Sequence, residues 1–167
     1  TLSKPHAYSL LALYPCATQA DGEFGMQIDV FYKFAKGTLF GGKYGTKIIL
    51  NYSKINSLNG GPSFLNDNTE YTASMNINNT TIHYQDLNIT INKKINKKIK
   101  TNIILANQTY NKDVLEGKPI GDYGILNSTI IVGDISYKIK RGHSLRMELQ
   151  TLTSKQLESA NQPAEGN

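Results

Sequence analysis

Carboxylates that could do acid–base chemistry recur along this 167-residue chain. Asp29, Asp134 and Glu148 are the residues to test first as a catalytic pair, because glycoside hydrolysis requires two such groups. Each of them has a Lys or Arg two or four residues away. Opposite charges interleaved along a strand face explain this pattern without catalysis. We therefore expect no catalytic residue and no enzymatic activity.

The stretch Gly37–Lys43 nearly matches the phosphate-binding pattern G-x-x-x-x-G-K-[ST]. Tyr44 stands where that pattern requires the Ser or Thr that binds magnesium. The pattern also requires a following helix, whose first amides hold phosphate, whereas the sequence here predicts a strand. The stretch is interpreted as a glycine-rich turn.

Metal and thiol chemistry receive little support. His6, His83 and His143 lie in separate segments without another ligand at metal-binding spacing, and zinc needs three or four converging ligands. The single cysteine, Cys16, excludes a disulfide framework. No base for a nucleophilic Cys16 can be named. We expect no metal site and no cofactor.

The net charge of +5 is dispersed rather than concentrated in runs. The densest basic cluster, at 93–98, has no neighbouring aromatic residues on which bases could stack, so nucleic acid is not an expected partner. No apolar run is long enough for a membrane helix, and no signal peptide is visible. Since the chain begins without Met, we expect a processed protein or a piece of a larger one.

Alternation of apolar and polar residues predicts an all-β, antiparallel, up-and-down meander in a single unit, residues 1–167. In Asp86–Asn92, for example, Leu87, Ile89 and Ile91 alternate with polar residues. About seven strands are predicted: 6–14, 23–35, 43–54, 86–92, 99–110, 123–139 and 144–152. Between them we predict short turns at 36–42, 93–98 and 140–143, long loops at 55–80 and 111–122, and a polar tail at 154–167.

Strands of about ten residues, with aromatic ends and with turns short on one side and long on the other, are typical of a transmembrane β-barrel wall. The aromatic residues predicted to face the membrane are Phe24, Phe34, Tyr44, Tyr52 and Tyr137. The polar and charged residues predicted to face the lumen are Gln27, Asp29, Lys33, Lys47, Asn51, Asp134, Lys138, Arg146 and Glu148.

A soluble, secreted β-sandwich that binds glycans or mediates adhesion is the alternative. Its charged face would be turned to solvent, and Tyr71, Tyr110 and Tyr123 would lie near its loops. Alternation alone allows both architectures.

Several stretches resemble a family of Bacteroidota outer-membrane, porin-like β-barrel proteins without an assigned biochemical role. They are Tyr8-Ser-Leu-Leu-Ala-Leu-Tyr-Pro15, Ala17-Thr-Gln-Ala-Asp-Gly-Glu23, Lys43-Tyr-Gly-Thr-Lys47, Asn51-Tyr-Ser53, Asn107-Gln-Thr-Tyr-Asn-Lys-Asp113 and His143-Ser-Leu-Arg-Met-Glu-Leu-Gln150. The resemblance implies a location in the bacterial outer membrane and a passive, porin-like or structural role. Family members are longer, so the chain is expected to be a segment of a larger barrel. Its expected partners are the lipid bilayer and either further outer-membrane subunits or the rest of the barrel.

Overall fold

Six long strands in alternating direction make up most of this computed structural model, which describes residues 8–14, 16, 23–57, 81–116 and 124–157. The strands are β1 Glu23–Phe34, β2 Thr46–Ser57, β3 Ile82–Lys94, β4 Ile99–Asn111, β5 Ile125–Lys140 and β6 His143–Leu157. Each strand pairs antiparallel with the next along the chain, in the order β1-β2-β3-β4-β5-β6. The predicted antiparallel meander is confirmed. Among the described residues the sheet is not closed, and β1 and β6 are its two edges.

The short turns lie at one end of this sheet, where their sequences predicted them. Arg141 and Gly142 connect β5 to β6, and Gly142 has φ +81°, a left-handed conformation that glycine adopts at little cost. Between β3 and β4, the Asn96 side chain accepts hydrogen bonds from the backbone N–H groups of Lys98 and Ile99, both at 2.8 Å. The stretch 37–43 is a turn followed by β2, as interpreted from its sequence.

The predicted first strand, 6–14, is wrong for its described residues. Leu10–Ala12 is a 3₁₀ helix, closed by hydrogen bonds from the Ala12 N–H to the carbonyls of Tyr8 and Ser9. As a strand, this segment would place Leu11 and Leu13 on the same face, whereas in the 3₁₀ helix Leu11 is buried and Leu13 is exposed. The described strands therefore number six rather than about seven.

Several strands end at residues other than the predicted ones. β2 continues to Ser57 and β6 to Leu157, because the backbone ladder extends through polar residues that carry no alternation signal. A short helix, α1 (Lys112–Leu115), occupies the start of the predicted loop 111–122; the Asn111 side chain caps it by accepting from the Val114 N–H. The predicted loop residues 58–80 and 117–122 and the tail from 158 lie outside the described residues.

The two faces of the sheet have different surroundings. Segment 8–14, here called the cover segment, packs on one face, which we call the covered face; the opposite side is the bare face. Under the cover segment lies a core built from its own residues and from the middle of β4 and β5: Tyr8, Leu11, Ile104, Ala106, Ile130 and Val132. A second cluster lies beside it: Cys16, Ile55, Tyr84, Tyr110 and Leu126.

Two adjacent isoleucines test this division. Ile130 on the covered face is 0% exposed, and Ile131 on the bare face is 48% exposed. We expect Ile130→Ala to lower the free energy of unfolding by about 2–4 kcal/mol, because it leaves a cavity under the cover segment. Ile131→Ala, the matched control, should cost less than about 1 kcal/mol, because the half-exposed side chain leaves no enclosed cavity. Urea unfolding measures both values, and equal losses would contradict the assignment of faces.

Candidate functional site

The covered face collects the polar side chains. All residues predicted to face a lumen lie on it, because cross-strand partners share a face and the register pairs Asp29 with Asn51, Lys33 with Lys47, and Asp134 with Glu148. The remaining members fall at alternate positions of the same strands: Gln27 on β1, Lys138 on β5 and Arg146 on β6. That this face lines a lumen stays a prediction.

One polar network crosses β1, β2 and β3. The Asn51 amide donates to Asp29 Oδ1 at 2.8 Å, and Gln27 donates to Asp29 Oδ2 at 2.9 Å. Asn88 continues the chain of amides by donating to Asn51 Oδ1 at 3.0 Å and to Asp86 Oδ2 at 3.3 Å. This network allows three polar side chains to be buried with their hydrogen bonds largely satisfied: Asn51, Asn88 and Asp86.

A second network lies on β5 and β6. Arg146 donates to Asp134 Oδ2 through Nε at 2.8 Å and pairs with it through Nη2 at 2.7 Å. The same Nη2 lies 3.1 Å from Glu148 Oε2. Asp134 and Glu148 therefore share one guanidinium, which partly offsets their charges. Asp29 is four strand spacings away from Asp134, roughly 19 Å, so the structure does not bring the three tested carboxylates together.

The cover segment is bound to this face by side chains that the sequence analysis did not connect with it. The Tyr8 hydroxyl donates to Asp134 Oδ2 at 3.0 Å and accepts from the Asn102 amide at 2.7 Å. Further along, Gln150 Oε1 accepts from the Leu10 N–H at 3.1 Å, and Gln108 donates to the Leu11 carbonyl at 3.1 Å. Backbone groups of a 3₁₀ turn are thus hydrogen-bonded by glutamines of the sheet.

A signal for this cover existed in the sequence. Ile103-Ile104-Leu105 and Ile130-Ile131-Val132 are apolar at consecutive positions, which is typical of strands buried on both sides. The edge strand β1 has a comparable run, Val30-Phe31-Tyr32, but its covered-face residues from Gln27 to Lys33 are exposed, so such a run permits a cover without locating it. Phe31 is one of these exposed residues, and the Lys47 amine lies 5.4 Å from its ring centroid.

The bare face is apolar across all the strands, although β1 and β6 carry its most exposed residues. Large apolar side chains on it are 36–65% exposed: Met26, Ile28, Val30, Tyr32, Leu50, Leu87, Ile103, Leu105, Ile131, Ile135, Tyr137, Leu145, Met147 and Leu149. Of the predicted membrane-facing aromatics, Phe24, Phe34, Tyr52 and Tyr137 lie on this face. Tyr44 lies in the turn before β2 rather than in a strand, because Gly45 at φ +85° breaks the extended backbone there.

Residues considered for other functions are not assembled into a site. Tyr110 lies near the end of β4, where it is buried with its ring 5.2 Å from that of Tyr14; Tyr71 and Tyr123 lie outside the described residues. In the described ranges, no three His, Cys, Asp or Glu side chains converge as metal ligands would. No described helix has the length and apolarity needed to cross a membrane.

The Tyr8 hydroxyl remains protonated at neutral pH. Burial raises its pKa above the ordinary value of 10.0, and Asp134 raises the pKa further, while donation from Asn102 acts in the opposite direction. A raised pKa in the folded state means that its contribution to stability is complete below the ordinary tyrosine pKa and is lost as pH rises through the raised value. Tyr8 therefore donates to Asp134 over the whole neutral range.

Removal of that hydroxyl should loosen the cover segment. Tyr8→Phe keeps the ring in the core but deletes a hydrogen bond to a carboxylate, with an expected cost of about 1–2 kcal/mol. Hydrogen exchange at the Leu10 amide should accelerate by about 5- to 30-fold if this segment opens locally. Tyr14→Phe keeps the ring contact with Tyr110 and serves as the control, with less than about 2-fold change expected. Similar exchange in both variants would show that the Tyr8 bond does not hold the segment.

The buried thiol of Cys16 should react slowly. Burial, and then the nearby Glu23 carboxylate, raise the pKa of Cys16 from 9.0 to about 11. Since the thiolate is the reactive form, alkylation by iodoacetamide near pH 8 should be about 100-fold slower in the native protein than in urea. The native rate should rise with pH until about pH 11. Rapid labelling near pH 8 without unfolding would contradict the burial of Cys16.

Comparisons with known proteins identify a family and no activity. No curated protein and no solved structure shows significant similarity to the chain. One family profile, described as "Family of unknown function (DUF6029)", matches residues 1–164. The match spans the cover segment and all six strands. The chain therefore belongs to the DUF6029 family.

Proposed function

We propose that the chain forms part of the wall of a bacterial outer-membrane β-barrel whose role is passive, either as a porin-like conduit or as a structural component. In this proposal the bare face contacts lipid and the covered face lines the lumen. The observation that carries it is the polarity of the exposed side chains: one face exposes apolar side chains, whereas outside the apolar core under the cover segment the other face exposes mainly charged and amide side chains.

The extent of the bare face supports contact with lipid. Water-soluble monomers rarely expose a continuous apolar patch of more than a few hundred Å². Here apolar rows run across neighbouring strands, and one of them joins Val30, Leu50, Ile89, Leu105 and Ile131 through the register. An antiparallel sheet in water normally shows its polar face to solvent, so a different apolar environment is needed on this side.

The dimensions of the band fit a bilayer. On β1 the bare face is apolar from Met26 to Phe34, which at about 3.3 Å per residue gives about 26 Å along the strand and about 20 Å after a 40° tilt. The lipid-facing band of outer-membrane barrels is about 25 Å tall. The strands have 12 to 16 residues, and about 9–11 tilted residues suffice to cross the membrane.

Polar residues bound the band at its far end. The register aligns Lys54, Gln85, Thr109, Asn127 and Lys155 in one row of the bare face. At the opposite end the short turns carry lysines, and the rings of Tyr32, Phe34 and Phe40 cluster with centroids 4.7 and 5.5 Å apart. Aromatic rings and long amines are the side chains preferred at membrane interfaces.

The open edges define what the proposal requires. Unpaired backbone groups cannot remain in hydrocarbon, so β1 and β6 must pair with further strands, either from the rest of the barrel or from another subunit. The secreted glycan-binding or adhesion sandwich would need a second sheet on the bare face, whereas all the described strands belong to one sheet. No described contact favours it.

Fractionation of the native protein tests the location directly. Recovery in the outer membrane, with faster migration on a gel before boiling than after, is the expected result. Barrels that resist detergent at room temperature remain compact and migrate ahead of their unfolded form. A soluble protein with identical migration before and after boiling would overturn the proposal.

A pair of substitutions tests the face itself. Val30→Arg places a charge in the middle of the apolar band, and we expect about 2–4 kcal/mol of destabilisation in a bilayer and loss of the compact gel form. Gln27→Arg adds the same charge on the opposite face of β1, where the side chain is exposed and polar, and should preserve the compact form. Equal insertion of both variants would show that the bare face does not meet lipid.

A further inference from the structure

A groove lined by lysines lies at the short-turn end of the covered face. Its volume is about 430 Å³, and it is lined by Lys97, Lys98, Lys100, Lys138 and Lys140 together with His143. We propose that this lysine groove binds a multivalent anion that carries phosphate groups and arrives from the aqueous side. Nothing in the proposed barrel role requires such a site.

The orientation of the lysines favours an aqueous ligand over lipid. Lys100 pairs with Ser136, and Lys138 pairs with Ser144. These residues lie on the same face of the sheet as Asp134, which is the covered face. The intervening residues Ile135, Tyr137 and Ile139 lie on the bare face. Lysines that only reach for lipid headgroups would extend from that apolar face, whereas these extend from the opposite one.

None of the described residues that line the groove is acidic. In the adjoining row of the covered face, Asp134 and Glu148 are paired with Arg146. The lysines therefore repel one another across the groove. A bound anion would relieve that repulsion. Clefts lined by one sign of charge also concentrate counter-ions from solution.

The positive charge continues beyond this groove. A second depression, between the ends of β1, β2, β3 and β4, is lined by Lys33, Lys47, Lys93, Lys94 and Lys100. Because Lys100 belongs to both, the two depressions form a basic band across the turn end of the sheet. A band of this kind suits a ligand with several phosphate charges better than one with a single charge, since amines bind phosphate as separate point charges.

The role of the groove depends on whether the sheet is part of a barrel, but the kind of ligand that the groove binds does not depend on it. If the covered face lines a lumen, as proposed above, the groove lies at the short-turn mouth and would favour the passage of phosphorylated solutes. The binding of phosphate groups itself rests on the lysines alone and can be measured whether or not the protein resides in a membrane.

Calorimetric titration of the full chain with inorganic tripolyphosphate tests the site, in low-salt buffer near neutral pH and in a zwitterionic detergent where one is needed. The double variant Lys100→Gln/Lys138→Gln should weaken binding by about 10-fold or more, because each amine makes a charge-assisted contact. Lys100→Arg/Lys138→Arg keeps both charges and should stay within about 3-fold of the parent. Lys54→Gln/Lys155→Gln removes the same charge at the far end of the bare face and should change binding less than about 2-fold.

The outcomes separate the alternatives. Absence of tripolyphosphate binding, or equal weakening by the two Gln pairs, would overturn the site, because net charge alone would then explain the effect. In phosphatidylcholine nanodiscs, with or without added phosphatidylglycerol, the parent should bind more tightly than Lys100→Gln/Lys138→Gln by about the same factor as in detergent, because this ratio cancels the general repulsion between an anionic bilayer and tripolyphosphate. Loss of that difference when phosphatidylglycerol is present would assign the lysines to a lipid headgroup and overturn the aqueous assignment. A protein that proves soluble but binds tripolyphosphate would contradict only the barrel.

Discussion

The packing of Leu11 and Tyr8 against the middle of β4 and β5 is the contact on which the covered face depends. An antiparallel ladder presents two faces, and its backbone bonds do not decide which of them is covered. The cover segment makes that choice by burying Ile130 completely while leaving Ile131 exposed. Once it is in place, the charged and amide residues lie on the same side as the cover, and the apolar rows lie on the other.

Charge is arranged on the covered face by position along the strands. Near the middle, Asp29 accepts hydrogen bonds from two neutral amides, whereas Asp134 is paired with the Arg146 guanidinium. Toward the short turns lysines line a groove, and none of the described residues in its lining carries a carboxylate. The face therefore combines a hydrogen-bonded centre with an electropositive end.

Much of the sheet followed from period-two alternation, which is local and is read directly along one strand. The alternation of Leu87, Ile89 and Ile91 with polar residues predicts that they share one face, and the register places them on the same face. The 3₁₀ helix was missed because its leucines also fit a blurred strand pattern. The contacts Tyr8–Asp134 and Leu10–Gln150 join residues more than 120 positions apart, and no local pattern predicts such pairs.

The sequence by itself determined the antiparallel strands, their turns and the separation of apolar from polar side chains, because these properties depend on neighbours one to four residues away. Only the tertiary structure decided that residues 8–14 lie over the polar side, that Asp134 and Glu148 share Arg146, and that lysines of β4 and β5 border one groove. Those features arise from the register between strands and from the docking of a distant segment. Both are set by the packing of the whole sheet rather than by any single stretch of chain.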